Sequence, residues 1–253
     1  MNVQIFTQHA GTCPYLPRRQ WHIHRFEAPS IPEGYYEQLI SRGWRRNSTI
    51  LYQNCCPTCA RCIPLRVSSP DYRPSKSQRR VIRRNTDLSV SIRRPEYRDE
   101  HFDLYWRYQQ NRHPGDYQTS LPLSEEEQAF KEFFCTSNID TIWMEYRNPQ
   151  GRLLGLGLVD LLPRSLSSVY FIFEPQEGRR SLGTFSIISE ILTARNLEKP
   201  WHHLGFWVPG SPKMEYKAEF LPHQVLGPGG WQWRHKKTDP VPLPRIRNEV
   251  SLQ

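Results

Sequence analysis

The chain has 253 residues, 37% of them hydrophobic and 12% aromatic, including eight tryptophans. That is too apolar for a disordered chain and enough for one substantial core or two smaller ones sharing an interface. The formal charge is +9; no run of about 18 apolar residues suggests a membrane span, and Met1 to Ala10 lacks the basic start and apolar core of a secretory signal. A cytoplasmic location with reduced cysteines is therefore the default expectation, with no membrane partner.

In chain order, Pro- and Cys-rich turns surround a first expected helix, Glu33 to Arg42. Its Tyr35, Tyr36, Leu39 and Ile40 recur at helical spacing, and Gly43 closes it. The texture changes near residue 95, which suggests an N-terminal Cys-rich and basic unit over 1–95 and a second unit over 96–253. Asp99 to Arg112 reads as a helix that Pro114-Gly115 ends. Ser124 with Glu127 forms a capping-box pattern ahead of Ala129, Phe130, Phe133 and Phe134. From Thr141 the period turns toward β: Thr141 to Tyr146, Leu153 to Leu162 and Leu166 to Phe173, with Pro163-Arg164-Ser165 as a hairpin turn. A loop from Glu174 to Gly183 then opens the helix Thr184 to Asn196, whose core stripe is Phe185, Ile188, Ile191 and Leu192. A strand, Trp201 to Val208, follows.

Antiparallel hairpin, strand, basic loop, helix, strand is the order of GCN5-related N-acetyltransferases, in which backbone N–H groups at the helix start hold a pyrophosphate. The fold class expected is α+β: a Cys-containing N-terminal unit packed on an acyltransferase-like mixed sheet with helices. The loop departs from that family's pattern, because Phe185 stands where a second small residue belongs. A coenzyme A pyrophosphate is expected to be crowded there.

Cys56-x-x-Cys59-x-x-Cys62, with Cys55 adjacent, has the spacing that turns favour for Zn2+ or an iron–sulfur cluster, with Cys55 or Cys13 as a fourth ligand. A knuckle of reduced thiols is an equally open reading. A redox nucleophile is disfavoured, since no thioredoxin-like βαβ pattern surrounds the cysteines. Between Arg61 and Arg98, eleven basic residues face three acidic ones, which accounts for nearly all of the net charge. If the chain is helical after Ser75, Arg79, Arg80, Arg83 and Arg84 stack along one side, an arrangement that calls for an anion such as a phosphate backbone. A solvated basic face is the plain alternative. His202 and His203 lie in a strand and point to opposite faces, so they cannot jointly chelate an ion and structural roles are expected. For His22 and His24, packing beside Trp21 and Phe26 is expected. No G-x-S-x-G, Walker A or H-E-x-x-H motif is present.

Ordered islands run through the chain: Cys13-Pro-Tyr-Leu-Pro, Gly43-Trp-Arg-Arg, Cys56 to Val67, Tyr72 to Val81, Arg84-Asn-Thr-Asp-Leu88, Gly157-Leu-Val-Asp160, Ser168-Val-Tyr170, Arg180-Ser-Leu-Gly-Thr184 and Lys213-Met-Glu-Tyr-Lys217. Together they resemble the aminoacyl-tRNA protein transferases of the N-degron pathway, and the bacterial aspartate/glutamate leucyltransferase group most closely. One departure is Pro17-Arg18-Arg19, where that group commonly has Pro-Gly-Arg.

The resemblance implies acyl transfer from the 3′ ester of a charged tRNA to the α-amine of a protein beginning with Asp or Glu. The ester is already activated, so the protein has to align the reactants and stabilise the oxyanion, and no cofactor is required. Asp160 is the expected proton acceptor, and Tyr170 the donor to the oxyanion or ester oxygen. Arg179, Arg180, Gly183, Lys213, Tyr216 and Lys217 are the expected acceptor- or donor-binding residues. Arg73, Lys76, Arg79, Arg80, Arg83 and Arg84 are expected on the tRNA. Leu is favoured as the amino acid moved, with Arg as the alternative. Two other classes stay open: a coenzyme A-dependent N-acetyltransferase and a non-enzymatic zinc-knuckle RNA-binding module.

Overall fold

The computed structural model describes residues 3–112 and 122–240; the expected helix stop at Pro114-Gly115 lies outside them. Two sheets organise the chain. The smaller has four antiparallel strands in the order β1-β2-β4-β3: β1 (Phe6–Thr12), β2 (Gln20–Glu27), β3 (Arg45–Asn47) and β4 (Ile50–Asn54). Helix α1 (Glu33–Ser41) packs on it through Tyr36 and Ile40, against Phe26, Trp44 and Leu51. Gly43 ends this helix at φ 89°, a conformation that costs glycine little.

The larger sheet has eight strands in the order β12-β11-β5-β10-β9-β8-β7-β6. These are β5 (Ile63–Ser68), β6 (Ser89–Arg93), β7 (Thr141–Arg147), β8 (Leu153–Leu161), β9 (Ser165–Phe173), β10 (Trp201–Trp207), β11 (His223–Gly227) and β12 (Gly230–Arg234). The expected division at residue 95 does not separate the two sheets. β5 and β6 both precede it, yet they take a central and an edge position in the large sheet. The small sheet is held on the large one by buried polar groups, among them Asn138, whose Nδ2 donates to the carbonyls of Ala28 and Thr49 at 2.8 and 3.0 Å.

Helix α2 (Lys76–Arg84) starts at a full capping box. Gln78 N–H donates to Ser75 Oγ at 3.3 Å, and Ser75 N–H donates to Gln78 Oε1 at 2.9 Å. Helix α3 (Asp99–Arg112) matches its expected span. Helix α4 (Leu123–Phe130) corrects the capping box expected at Ser124. Its N-cap is Pro122, with no side-chain cap, so Ser124 falls inside the first turn. One π-turn, Lys131–Cys135, continues it, and Phe130 and Phe134 are buried with Trp143 and Leu158. Helix α5 (Leu182–Asn196) begins two residues earlier than expected, which puts Gly183 inside it. Ile187, Ile188 and Ile191 of α5 close the core over Leu65, Val67 and Val225. β7, β8 and β9 are antiparallel and β10 runs parallel to β9, the acyltransferase arrangement expected.

Arg18 adopts φ 60°, the left-handed region where a side chain costs about 1–2 kcal/mol. The position at which the resembling group has glycine thus keeps a glycine conformation. Arg18→Gly is expected to raise stability by about 0.5–1 kcal/mol in urea unfolding, the strain relief less glycine's greater unfolded-state freedom.

Candidate active site

Parallel pairing of β9 with β10 covers only Ser165–Ser167 against Trp201–His203, and beyond that the strands part. Two irregularities fall at the same level. The β8–β9 register jumps between Leu158↔Tyr170 and Val159↔Ser168, leaving Val169 out of the pairing as a bulge. The β10–β5 register jumps between His203 and Gly205. The result is a notch whose wall on the α5 side is polar. Ser168 Oγ donates to Glu190 Oε2 of α5, and His202 Nε2 lies 3.0 Å from Ser168 Oγ and 3.1 Å from Glu190 Oε2. Glu190 and His202 are buried, and His202 Nδ1 has no hydrogen-bond partner among the described residues.

Two cations close the notch. Lys217 Nζ donates to Leu204 O at 2.7 Å, and burial with the nearby Arg45 charge lowers its pKa to about 7, against the opposing pull of Glu190. Arg45 is buried and donates to Ser167 Oγ at 3.0 Å and to the Ser168 carbonyl. Gly205 makes room for it: at φ 77°, a Cβ there would lie 3.3 Å from Arg45 Nη2. Gly205→Ala combines that crowding with backbone strain, and is expected to cost about 1–3 kcal/mol in urea unfolding.

The expected site residues separate into groups. Asp160 is fully buried on β8 and accepts from Arg46 Nε at 2.8 and 3.0 Å and from Thr141 Oγ1 at 3.2 Å. Its carboxylate joins β3 of the small sheet to β7 and β8 of the large one. Tyr170 lies on the α3–α4 side among Tyr108, Phe133 and Phe134, because the bulge at Val169 puts it on the face opposite Ser168. Burial, and then the neighbouring tyrosines Tyr108 and Tyr105, raise its pKa. Tyr216, 43% exposed, and Lys217 share the short 3-10 helix Glu215–Glu219, while Lys213 is exposed before it.

Arg180 is paired with Asp87 at 2.8 and 2.9 Å and with Glu177 at 2.9 Å, so it is a tie rather than a free cation. Arg179 is exposed, and its carbonyl accepts from Arg84. Asn85 Nδ2 donates to Arg180 O at 2.9 Å. These bonds fasten the end of α2 to the loop that starts α5. Arg73, Lys76, Arg79, Arg80, Arg83 and Arg84 are all exposed along that helix and its approach. A Cβ at Gly183 would meet nothing within 4 Å, so the start of α5 is open. Phe185 packs on Tyr146 with ring centroids 5.9 Å apart, inside the helix–sheet layer.

Sequence reasoning missed Ser168, Glu190, His202 and Arg45. His202 was expected to be structural, and Glu190 carried no signal beyond being the one acidic residue of its helix. Arg45 sat inside the Gly43-Trp-Arg-Arg island, which marked its position and left its role open.

Two family models match the chain: the N terminus of arginine-tRNA-protein transferase over residues 11–80, and its C terminus over residues 100–227. The chain belongs to that family. Relatives of this transferase named aspartate/glutamate leucyltransferase include one from Rhodopseudomonas palustris, 35% identical over 239 residues, 90% of this chain and 91% of that protein. Another, from Pseudomonas savastanoi pv. phaseolicola, is 36% identical over 232 residues, 90% and 96% of the two chains. Among solved structures, the C-terminal domain of a lysylphosphatidylglycerol synthetase from Agrobacterium fabrum aligns with a TM-score of 0.43 and 12% identity, covering 77% of this chain and 56% of that one. FemX aligns at 0.41 and 7%, covering 84% and 81%.

In this transferase, Cys13, Cys56, Cys59 and Cys62 line one narrow cavity with Tyr15 and Leu16, and Cys55 stands beside it. Burial and the neighbouring thiols of Cys13, Cys56 and Cys59 push Cys62 up to about 12. Among the described residues, no set of three or more His, Cys, Asp or Glu side chains is placed to hold a metal ion. Cys13, Cys59 and Cys62 instead pack against Phe206 and Val208, at the end of β10 that leaves β9. Among the described residues no helix is long and apolar enough to cross a membrane.

Proposed function

We propose that this transferase moves leucine from leucyl-tRNA to the α-amine of proteins whose first residue is Asp or Glu. The family and the names of its relatives support the substrates. The observation that carries the reading is the basic helix α2, hydrogen-bonded onto the start of α5 at the end where β9 and β10 part. A tRNA held along α2 brings its acceptor end to the open amides at Leu182 and Gly183, where the helix dipole favours a phosphate.

The notch then performs the transfer. The acceptor amine attacks the ester carbonyl, forming the C–N bond. Its proton passes through Ser168 Oγ to Glu190; the carbonyl–oxygen bond of the ester then breaks, and the same relay returns that proton to the departing 3′ oxygen. The backbone N–H of Val169, the residue left out of the β8–β9 register, donates to the oxyanion. Arg45 and Lys217 against the single carboxylate of Glu190 leave one positive charge over, and that charge suits the acidic side chain of the acceptor. Tyr216, Lys213 and Arg179 line the approach. Asp160 and Tyr170 act as positioning residues.

The test incubates the protein with labelled leucyl-, arginyl- or phenylalanyl-tRNA and peptides beginning with Asp, Glu, Lys or Ala. Label is expected to move from leucyl-tRNA to the acidic peptides; none reaching them from any donor would overturn the reading. No step uses the cysteines. Elemental analysis of anaerobically purified protein decides between a metal and a knuckle of reduced thiols: less than about a tenth of an equivalent of Zn or Fe favours the knuckle.

A further inference from the structure

The face of the large sheet turned away from α5 carries a ladder of aromatic rings and cations that the transfer chemistry leaves unused. Cross-strand neighbours put Arg66 of β5, Trp201 of β10, and Trp231 and Trp233 of β12 on this face. The guanidinium of Arg66 lies between two indoles, 4.0 Å from the Trp201 ring centre and 4.2 Å from that of Trp231. Its Nε and Nη2 donate to Gln224 Oε1 at 2.9 and 2.7 Å, which fixes the plane of the sandwich. Trp233 continues the ladder 5.6 Å from Trp201, and His235 stacks on Trp233 at 5.5 Å and 18°.

Trp233 is 45% exposed on the edge strand. An indole left half in water forgoes much of the hydrophobic gain that burying it would bring. A ring that only filled space would be covered, and this one is flanked by charge. Arg164 stands near enough to Arg66 to oppose its charge, and Lys236 and Lys237 are exposed beyond His235. The acidic groups in this region include Glu37, Asp71, Asp239 and Glu219; Asp71 accepts from Ser68, the cross-strand neighbour of Trp201, and Glu219 pairs with Lys237. Flat rings set in tandem and interleaved with cations are the chemistry of single-strand recognition: each base has a face to stack, and each phosphate a charge to meet. A second protein chain would ask for aliphatic area around the indoles, and the surroundings here are Arg, Gln, His and Lys.

We propose that this ladder is a stacking platform for unpaired nucleotides of an RNA strand, with Trp233 as its outer face and Arg66 as its fixed cation. It is a site separate from the β9–β10 notch, and binding to it requires no transfer.

The test titrates the full chain with a labelled, unstructured hexaribonucleotide at fixed salt, reading anisotropy and quenching of tryptophan fluorescence. Trp233→Ala is expected to weaken binding about tenfold, within the range that removing one stacking ring costs, and Trp233→Phe to stay within about threefold of the unchanged protein. A blunt RNA duplex of equal charge is expected to respond to neither substitution. Equal affinity of Trp233→Ala and the unchanged protein would overturn the platform. So would an equal loss on the duplex, or sedimentation showing that Trp233 instead governs self-association. A further arm compares tRNA with tRNA trimmed of its unpaired 3′ nucleotides. If trimming removes the dependence on Trp233, the platform takes the donor's own end; if the dependence persists, it takes another unpaired stretch. Because both readouts are of binding, the platform can fail while acyl transfer stands, and the reverse.

Discussion

Replacing Asp160 with alanine is expected to cost about 3–5 kcal/mol of folding stability, because it leaves a buried guanidinium without its partner. Arg46 and Asp160 are exposed by only 1% and 0% at their side chains, and their contacts run from 2.5 to 3.0 Å. Burial alone would lower the Arg46 pKa, and Asp160 more than reverses it, so the arginine stays charged. The cost therefore measures an orphaned charge more than a lost attraction. Replacing both residues together, Arg46→Met with Asp160→Leu, is expected to recover much of the loss in urea unfolding, since packed apolar groups of similar size can substitute for such a pair. Recovery of the fold with transfer activity close to that of the unchanged protein would fix Asp160 as a positioning residue. A double variant that folds well and is inactive would return it to the chemistry.

The same pair shows where the sequence was informative and where it was not. Helices α1 and α3 and strands β7 to β10 were legible because their apolar residues recur at 3.6 or 2 residues, whereas α2 was a conditional helix whose cap, Ser75 with Gln78, was not recognised. Strands β1 to β5 were not. β1, Phe6–Thr12, is exposed along most of its length, so no alternation marks it, and in β2 the buried residues are Ile23 and Phe26, three apart, so burial there does not alternate with a period of two. β5 is buried on alternate positions, but it is short and follows a cysteine knuckle that dominated the local pattern. Its place between β10 and β11 depends on partners more than 130 residues away. The notch was hidden for a related reason. Ser168, Glu190 and His202 come from a strand, a helix and another strand, and each is unremarkable among its sequence neighbours. The side of the sheet on which Ser168 and Tyr170 project was also unreadable, because one extra residue at Val169 reverses the alternation. The islands that carried the family resemblance marked the right segments without saying which member of each does the work.

Discrimination between acidic and neutral acceptors is expected to weaken as pH rises through about 7. Lys217 is the cause: half-buried and held beside Arg45, it loses its proton near 7 in the folded protein, whereas an unperturbed lysine titrates near 10.4. In its protonated form it adds the second positive charge facing Glu190, and that charge is what an Asp or Glu side chain meets. The measured quantity is the ratio of kcat/KM for a peptide beginning with Asp to that for one beginning with Ala. Titration of the peptide's own α-amine cancels in the ratio, and kcat/KM reports groups of the free enzyme. Lys217→Met is expected to lower the ratio about 10- to 100-fold at pH 6, the worth of one charge-assisted contact, and to leave it flat with pH. Stability moves in the complementary sense. Between about 7 and 10.4 the unfolded chain holds a proton that the folded chain lacks, so the contribution from Lys217 rises with pH across that window and is lost as pH falls to 7. The methionine variant has no such slope and is expected to be the more stable protein at pH 6, where the unchanged chain must keep a charge out of water. A Lys217→Met protein that keeps the acidic preference and its pH dependence would place the recognising cation elsewhere, with Arg45 the next to test. A variant that loses preference while gaining stability would show that this half-buried lysine is kept for its charge at a cost to the fold.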